Sequence, residues 1–302
     1  MDRIHVTEVG PRDGLQNQPV HLATADKLAF IALLANAGVS SLEATSFVSK
    51  KAVPQLADAD ELLPQVQAAH PDMRVSVLVP NRKGLERAQA AGAREIAVVL
   101  SATDTMNRRN IGMGLAEAAS ECEATIAAAR AAGLRTRGYL AVAFECPFEG
   151  ETPLEPFLSL AGRLHHAGAE EVVIADTIGA ASPAQVRERL RAVREVLPLE
   201  RTGVHFHDTR GMGLANAWAA LEAGVRRIDA SAGGLGGCPF APGAAGNLAT
   251  EDLVLMANQS GLDTGIDLDG LLDAIGLAQE RLQRPLGGRS AAWLRRRARA
   301  NV

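Results

Sequence analysis

The sequence predicts an α/β protein, a (β/α)8 TIM barrel followed by a C-terminal helical extension. Three observations carry this. Eight short runs rich in Val, Ile and Ala alternate with longer Ala/Leu-rich amphipathic segments, the pattern of parallel strands joined by crossover helices. Eight such units fit the roughly 250 residues of a closed barrel. Neither the first nor the last run is polar or proline-blunted, as the edges of an open doubly wound sheet would be. Aromatic residues make up only 3% of the chain while Gly numbers 29, which suits close helix-on-sheet packing and not an aromatic-rich β-sandwich.

The strands follow in order. RIHVTEVG (3–10) opens the chain, then SLEATSF (41–47), RVSVLVP (74–80) and EIAVVLSA (95–102). TRGYLAVAF (136–144), EVVIADT (171–177), TGVHFHD (202–208) and RIDASAGG (227–234) complete the eight. Each is too short for a stable helix, and several are dense in β-branched residues. Between them lie helical patterns such as ADKLAFIALLANAG (25–38), LAEAASECEATIAAARAAG (115–133) and PAQVRERLRAVREVL (183–197). Several helices end in Ala-Gly, at Gly38, Gly92, Gly133, Gly168 and Gly224, where a left-handed cap leads into the next strand. After about Gly261 the pattern changes. LDGLLDAIGLAQERL (268–282) is a helix outside the eightfold count, and WLRRRARANV (293–302) reads as a solvated, partly disordered basic tail. The expected division is a catalytic barrel over 1–265 and an extension over 266–302.

Composition narrows the function. The net charge of −4 argues against nucleic acid as a partner. Three widely spaced cysteines, Cys122, Cys146 and Cys238, indicate a reducing compartment and no disulfide framework. No leader-like segment and no membrane-length apolar run is read, so no membrane partner is expected and the expected location is cytoplasmic.

Barrel active sites lie where strands end, so the polar residues there matter. The first strand runs into Arg12 and Asp13, the second carries Glu43 and Ser46, and the sixth ends in Asp176 and Thr177. The seventh carries His205, His207 and Asp208, and the eighth leads into a glycine-rich stretch with Cys238 and Asn247. His205 and His207 share one strand face, the barrel interior, with Phe206 turned to a helix. Two readings compete: histidines bonded to buried carboxylates or backbone, or metal ligands joined by Asp13 and Asn247. Two imidazole nitrogens, a carboxylate and an amide oxygen suit Mg2+ or Mn2+ better than a closed tetrahedral Zn2+ site. Arg12 reads either as a rim salt bridge, with Glu43 as one partner, or as a fixed cation aimed at an oxyanion. The stretch 233–247 reads as a lid carrying Cys238; a dinucleotide fingerprint would need a βαβ context that is absent here. Cys122 and Cys146 read as packing residues.

Taken together, VGPRDGLQN (9–17), SLEATSFVS (41–49), ADTIG (175–179), HFHDT (205–209) and GGLGGCP with GNLATEDL (233–253) closely resemble the 3-hydroxy-3-methylglutaryl-CoA lyase family of barrel metallolyases. The resemblance covers nearly the whole chain. It implies a divalent-metal-dependent retro-Claisen cleavage of an acyl-CoA to acetyl-CoA and acetoacetate, by a homodimer. It further implies Asp13, His205, His207 and Asn247 as metal ligands and Arg12 as the cation on the substrate carbonyl. Glu43 would orient Arg12 and a water on the metal, and Cys238 would be the loop cysteine that delivers a proton. Gln16, Ser46 and Thr177 would contact substrate, and either Asp13 or His205 would be the base. A Claisen-type condensing transferase of the same superfamily is the competing function, which the cysteine-bearing loop disfavours. The chain departs from the family pattern at Val173, at Arg210, along 101–112 and at 243–246, positions expected to bear on the acyl pocket.

Overall fold

A computed structural model describes residues 2–237 and 246–300, with side chains as far as residue 297. Eight parallel strands close a barrel: β1 (His5–Glu8), β2 (Ser41–Ser46), β3 (Arg74–Leu78), β4 (Glu95–Ser101), β5 (Arg135–Ala141), β6 (Glu171–Asp176), β7 (Thr202–Phe206) and β8 (Arg227–Ala230). Each strand pairs with its sequence neighbours, and β1 closes on β8 with His5 opposite Arg227 and Glu8 opposite Ala230. All eight expected strands are therefore present, each shorter than the apolar run that marks it.

The outer ring is α1 (Thr24–Asn36), α2 (Ala59–Ala69), α3 (Arg82–Ala90), α5 (Leu115–Ala131), α6 (Leu154–Ala167), α7 (Pro183–Val193), α8 (Gly213–Glu222) and α9 (Thr250–Gln259). The extra helix α4 (Asp104–Ile111) precedes α5, and α10 (Leu268–Leu282) and α11 (Ala291–Ala300) follow α9. The five expected glycine caps all have positive φ, as at Gly168 with φ 110°. Large side chains such as Phe30, Phe157 and Phe206 fill the layer between strands and helices.

Two stretches adopt structure that the sequence reading does not anticipate. Residues 104–111 form helix α4, because Asp104 accepts from Leu115 N at 2.8 Å and Asn107 clamps Ser101 and Thr103. The basic tail is helical as far as Ala300: Asp252 accepts the Arg289 and Ser290 amides and the Ser290 hydroxyl, and Leu294 is buried. No helix of the described residues is long and apolar enough to cross a membrane.

The barrel interior departs from the usual filling of stacked branched apolar residues. A small apolar group of Ala97, Tyr139 and Val173, with Leu78 and Val99 against it, occupies the middle. Beside it on the inner face sit buried charges, Arg137, Glu171 and Asp229.

Candidate active site

The chain delivers each polar side chain to the barrel mouth by a local device. After β1, residues Gly10–Gly14 make one wide turn in which the amides of Arg12, Asp13 and Gly14 all point at Val9 O, at 3.2, 2.8 and 3.2 Å. Only glycine fits at its two ends. A Cβ on Gly10 would lie 2.6 Å from Glu8 Oε1, and one on Gly14 would lie 2.8 Å from Leu235 Cβ. That turn swings Arg12 and Asp13 over the barrel. His205 on β7 and His207 just past its end face inward while Phe206, 1% exposed, packs outward. Asn247 arrives by insertion: Asp208 N donates to Gly246 O at 3.1 Å, Leu248 N to Phe206 O at 2.9 Å and Ser231 N to Leu248 O at 2.9 Å. The segment thereby wedges between the ends of β7 and β8 with Asn247 opposite His207.

Ligand-type atoms of Asp13, His205 and His207 lie within 4.8 Å of one another. Asn247 Nδ2 donates to Asp13 Oδ2 at 2.7 Å, and its Oδ1 is buried without a hydrogen bond. His205 Nε2 stands 3.2 Å from His207 Nε2. His205 Nδ1 sits 3.3 Å from Asp229 Oδ2, which holds that ring's proton on Nδ1 and leaves its Nε2 lone pair facing His207. That lone pair, the facing His207 nitrogen, a carboxylate and an orphaned amide oxygen together form a site that fits a cation. Burial, the largest influence, pushes His207 down to about 4, and neighbouring His205 adds to it. Burial pushes Asp13 upward, but Arg12, the two imidazoles and Asn247 together outweigh it and hold the carboxyl below its usual value.

Arg12 Nη1 donates to Asp13 Oδ1 at 2.6 Å and Nη2 to Glu43 Oε2 at 2.8 Å. Burial disfavours its charge, yet the carboxylates of Glu43 and Asp13 prevail and keep it protonated. The guanidinium is therefore fixed at two points beside the His-Asp cluster.

Arg12, Asp13, His205 and His207 line a cavity of about 330 Å3. One wall is polar, with Arg12, Asp13, Gln16, Thr177, His205 and His207; the other is apolar, with Val48, Leu78, Val79, Val99, Met106 and Ile111. Gln16 also donates to Asp13 Oδ1 at 3.1 Å, and Thr177 Oγ1 accepts from Val142 N at 2.7 Å. Ser46 is buried at the end of β2 with its hydroxyl turned to Val48 N at 3.3 Å, and it is not among the lining residues. Cys238 and positions 243–245 lie outside the described residues. Cys122 and Cys146 are buried and unpaired by disulfide. Of the family departures, Ser101, Met106, Asn110 and Ile111 line the cavity. Val173 packs in the barrel interior against Tyr139, and Arg210 is an exposed rim residue paired with Glu145 at 3.1 Å.

Sequence reasoning missed Arg137, Tyr139 and Asp229. Tyr139 lines the cavity, and its hydroxyl lies 2.8 Å from Asp229 Oδ2 and 3.2 Å from Glu43 Oε2. The alternation that singled out His205 and His207 also places Arg137 and Tyr139 on one face of β5, so that signal was available.

Comparison with known proteins agrees with this geometry. The family model described as HMGL-like matches residues 3–277. The hydroxymethylglutaryl-CoA lyase of Bacillus subtilis is 43% identical over 288 residues, covering 95% of this chain and 96% of that one. A crystal structure of the Bacillus subtilis HMG-CoA lyase superposes with TM-score 0.94 at 42% identity, over 98% of this chain and 99% of that one. An HMG-CoA lyase from Acinetobacter baumannii, solved with coenzyme A and 3-methylmalate, superposes with TM-score 0.91 at 40% identity, over 96% and 95%. With the barrel, the cluster at its mouth and these matches in hand, the chain belongs to the HMGL-like family.

Proposed function

We infer that this protein is a divalent-cation-dependent carbon–carbon lyase. It cleaves 3-hydroxy-3-methylglutaryl-CoA, or a close 3-hydroxyacyl-CoA analogue, to acetyl-CoA and acetoacetate or the corresponding ketoacid. The observation that carries this is the convergence of Asp13, His205 and His207 beside a doubly anchored Arg12 in a chain of this family. Relatives named as HMG-CoA lyases, and the coenzyme A complex of one of them, support an acyl-CoA substrate.

The reaction sets three tasks. The C3 hydroxyl loses its proton, the C2–C3 bond breaks as C3 becomes the ketone and the bonding pair passes to C2 as a thioester enolate, and C2 then takes up a proton. A divalent cation, for which we propose Asp13, His205, His207 and Asn247 as ligands and Mg2+ or Mn2+ as the ion, supplies the charge that acidifies the hydroxyl. Asp13 and His205 are our two candidates for the proton acceptor. Arg12 stabilises the enolate oxygen, and because Glu43 and Asp13 already hold it, no reorganisation is needed at the moment of cleavage. We assign protonation of C2 to Cys238. Gln16 and Thr177 are our substrate contacts on the polar wall; Ser46 fixes the turn that brings Val48 into the apolar wall. That wall receives the 3-substituent. A homodimer and a cytoplasmic location are carried as proposals, to be tested by sedimentation and fractionation.

The test is a panel of 3-hydroxy-dicarboxyl-CoA thioesters with Mg2+ or Mn2+ supplied. Cleavage is expected for tertiary 3-hydroxy substrates, with kcat/KM varying with the 3-substituent. Equal turnover of a substrate lacking the 3-hydroxyl would sink the reading.

A further inference from the structure

The barrel interior contains a charged network that the reaction as outlined does not use. Arg137, 1% exposed, donates through Nη2 to Glu171 Oε1 at 2.8 Å and to Asp229 Oδ1 at 2.8 Å. Its Nη1 donates to the Tyr139 hydroxyl at 3.1 Å. Tyr139 passes the chain on, donating to Asp229 Oδ2 at 2.8 Å, and the same Oδ2 stands 3.3 Å from His205 Nδ1. Buried ion pairs of this kind are often no more stabilising than apolar residues of similar volume, so stability alone is a weak reason for them. What the arrangement does achieve is geometric. Both Asp229 oxygens are held, which fixes the carboxylate's rotation, and one of them meets the imidazole nitrogen that faces away from the cavity.

We propose that Asp229, anchored by Arg137 and Tyr139, is a positioning residue that holds His205 with Nε2 presented to the cation site. This rests on the cation-dependent reading above. Asp229 touches no substrate. It acts through His205, and Tyr139, 3.2 Å from Glu43 Oε2, sits between His205's support and Arg12's. A carboxylate behind a metal-binding histidine typically changes metal affinity or activity about 10- to 100-fold when removed.

The test measures Mn2+ affinity of the full-length protein by titration calorimetry and by the electron paramagnetic resonance signal of free Mn2+, with no substrate present. Asp229→Asn is expected to bind Mn2+ at least about tenfold more weakly than wild type. Glu171→Gln is the matched control: it removes the other carboxylate on Arg137 without touching His205, and is expected to bind Mn2+ as wild type does. Equal affinity of a folded Asp229→Asn and wild type would overturn the proposal, as would an equal loss in Glu171→Gln, which would show a generic effect of core charge. If Asp229→Asn does not fold, Tyr139→Phe carries the test. It removes a donor to the same Oδ2 while keeping every charge and is expected to weaken Mn2+ binding severalfold; unchanged affinity overturns the proposal. Wild-type protein that binds no Mn2+ would overturn the cation reading, and this proposal with it, whereas wild-type binding with unchanged variants overturns this proposal alone.

Discussion

Asp13, His205 and His207 meet because two strand ends and a wide turn converge, and each contributes differently. His207→Ala is expected to abolish Mg2+ or Mn2+ binding in calorimetry; full occupancy in that variant would remove it from the ligand set. Cys238→Ala is expected to lower kcat by orders of magnitude while leaving cation binding intact, and a parallel loss of binding would make the thiol a ligand. Glu8 gives a prediction about stability. Burial pushes its carboxyl from 4.5 up to about 7, against the pull of donors from Thr250, Ala232 and Gly10. A carboxyl raised in the folded state disfavours folding once ionised, so this penalty grows as pH rises from about 4.5 to about 7. Glu8→Gln, whose amide can donate to Thr250, should gain stability relative to wild type across that window, by about 3 kcal/mol at most in urea titrations. A constant difference at every pH would contradict it. The paired histidines were legible because two-residue alternation in an apolar strand is conspicuous. Asp229 was not: within RIDASAGG a single acidic residue gives no sign of which face it takes. The competing readings of His205 and of Arg12 were also not exclusive, since His205 both faces the cluster and meets a buried carboxylate, and Arg12 is both a salt-bridge partner and a fixed cation.

Among the elements, α7 shows most directly how local sequence sets a boundary. Ser182 Oγ accepts from Gln185 N while Gln185 Oε1 accepts from Ser182 N, a capping box with Pro183 at the first helical position. Ser182→Ala is expected to cost about 1 kcal/mol in denaturant titrations with kcat/KM unchanged; a loss above about 3 kcal/mol would mean the hydroxyl does more than cap. The strands and their glycine-capped entries were readable for the same reason, that the chemistry is contained in adjacent residues. Helix α4 was not, because DTMNRRNI lacks an apolar stripe and is held by longer-range contacts of Asp104 and Asn107. Its position matters, since Met106 and Ile111 from it shape the apolar wall.

At the scale of the molecule, barrel closure was legible from eight repeated units, whereas the packing of the C-terminal residues was not. Helix α10 buries Leu268, Leu271, Ile275 and Leu282, and α1 is among the helices it packs on. We propose that residues 266–302 fold only against the barrel, so a chain ending at residue 265 should aggregate or lose at least about 10 °C in Tm; an unchanged melting curve would show an independent barrel. The basic tail looked solvated because four of its ten residues are arginine, yet Leu294 is buried and Arg295 donates to Leu286 O. The central claim concerns the whole site acting together, and release of acetyl-CoA tests it most directly. Purified protein given 3-hydroxy-3-methylglutaryl-CoA and Mg2+ or Mn2+, with no 2-oxoacid present, is expected to yield acetyl-CoA and acetoacetate in equal amounts and to stop when the cation is chelated. Acetyl-CoA chemistry seen only as condensation with an added 2-oxoacid, or cleavage indifferent to chelation, would contradict it.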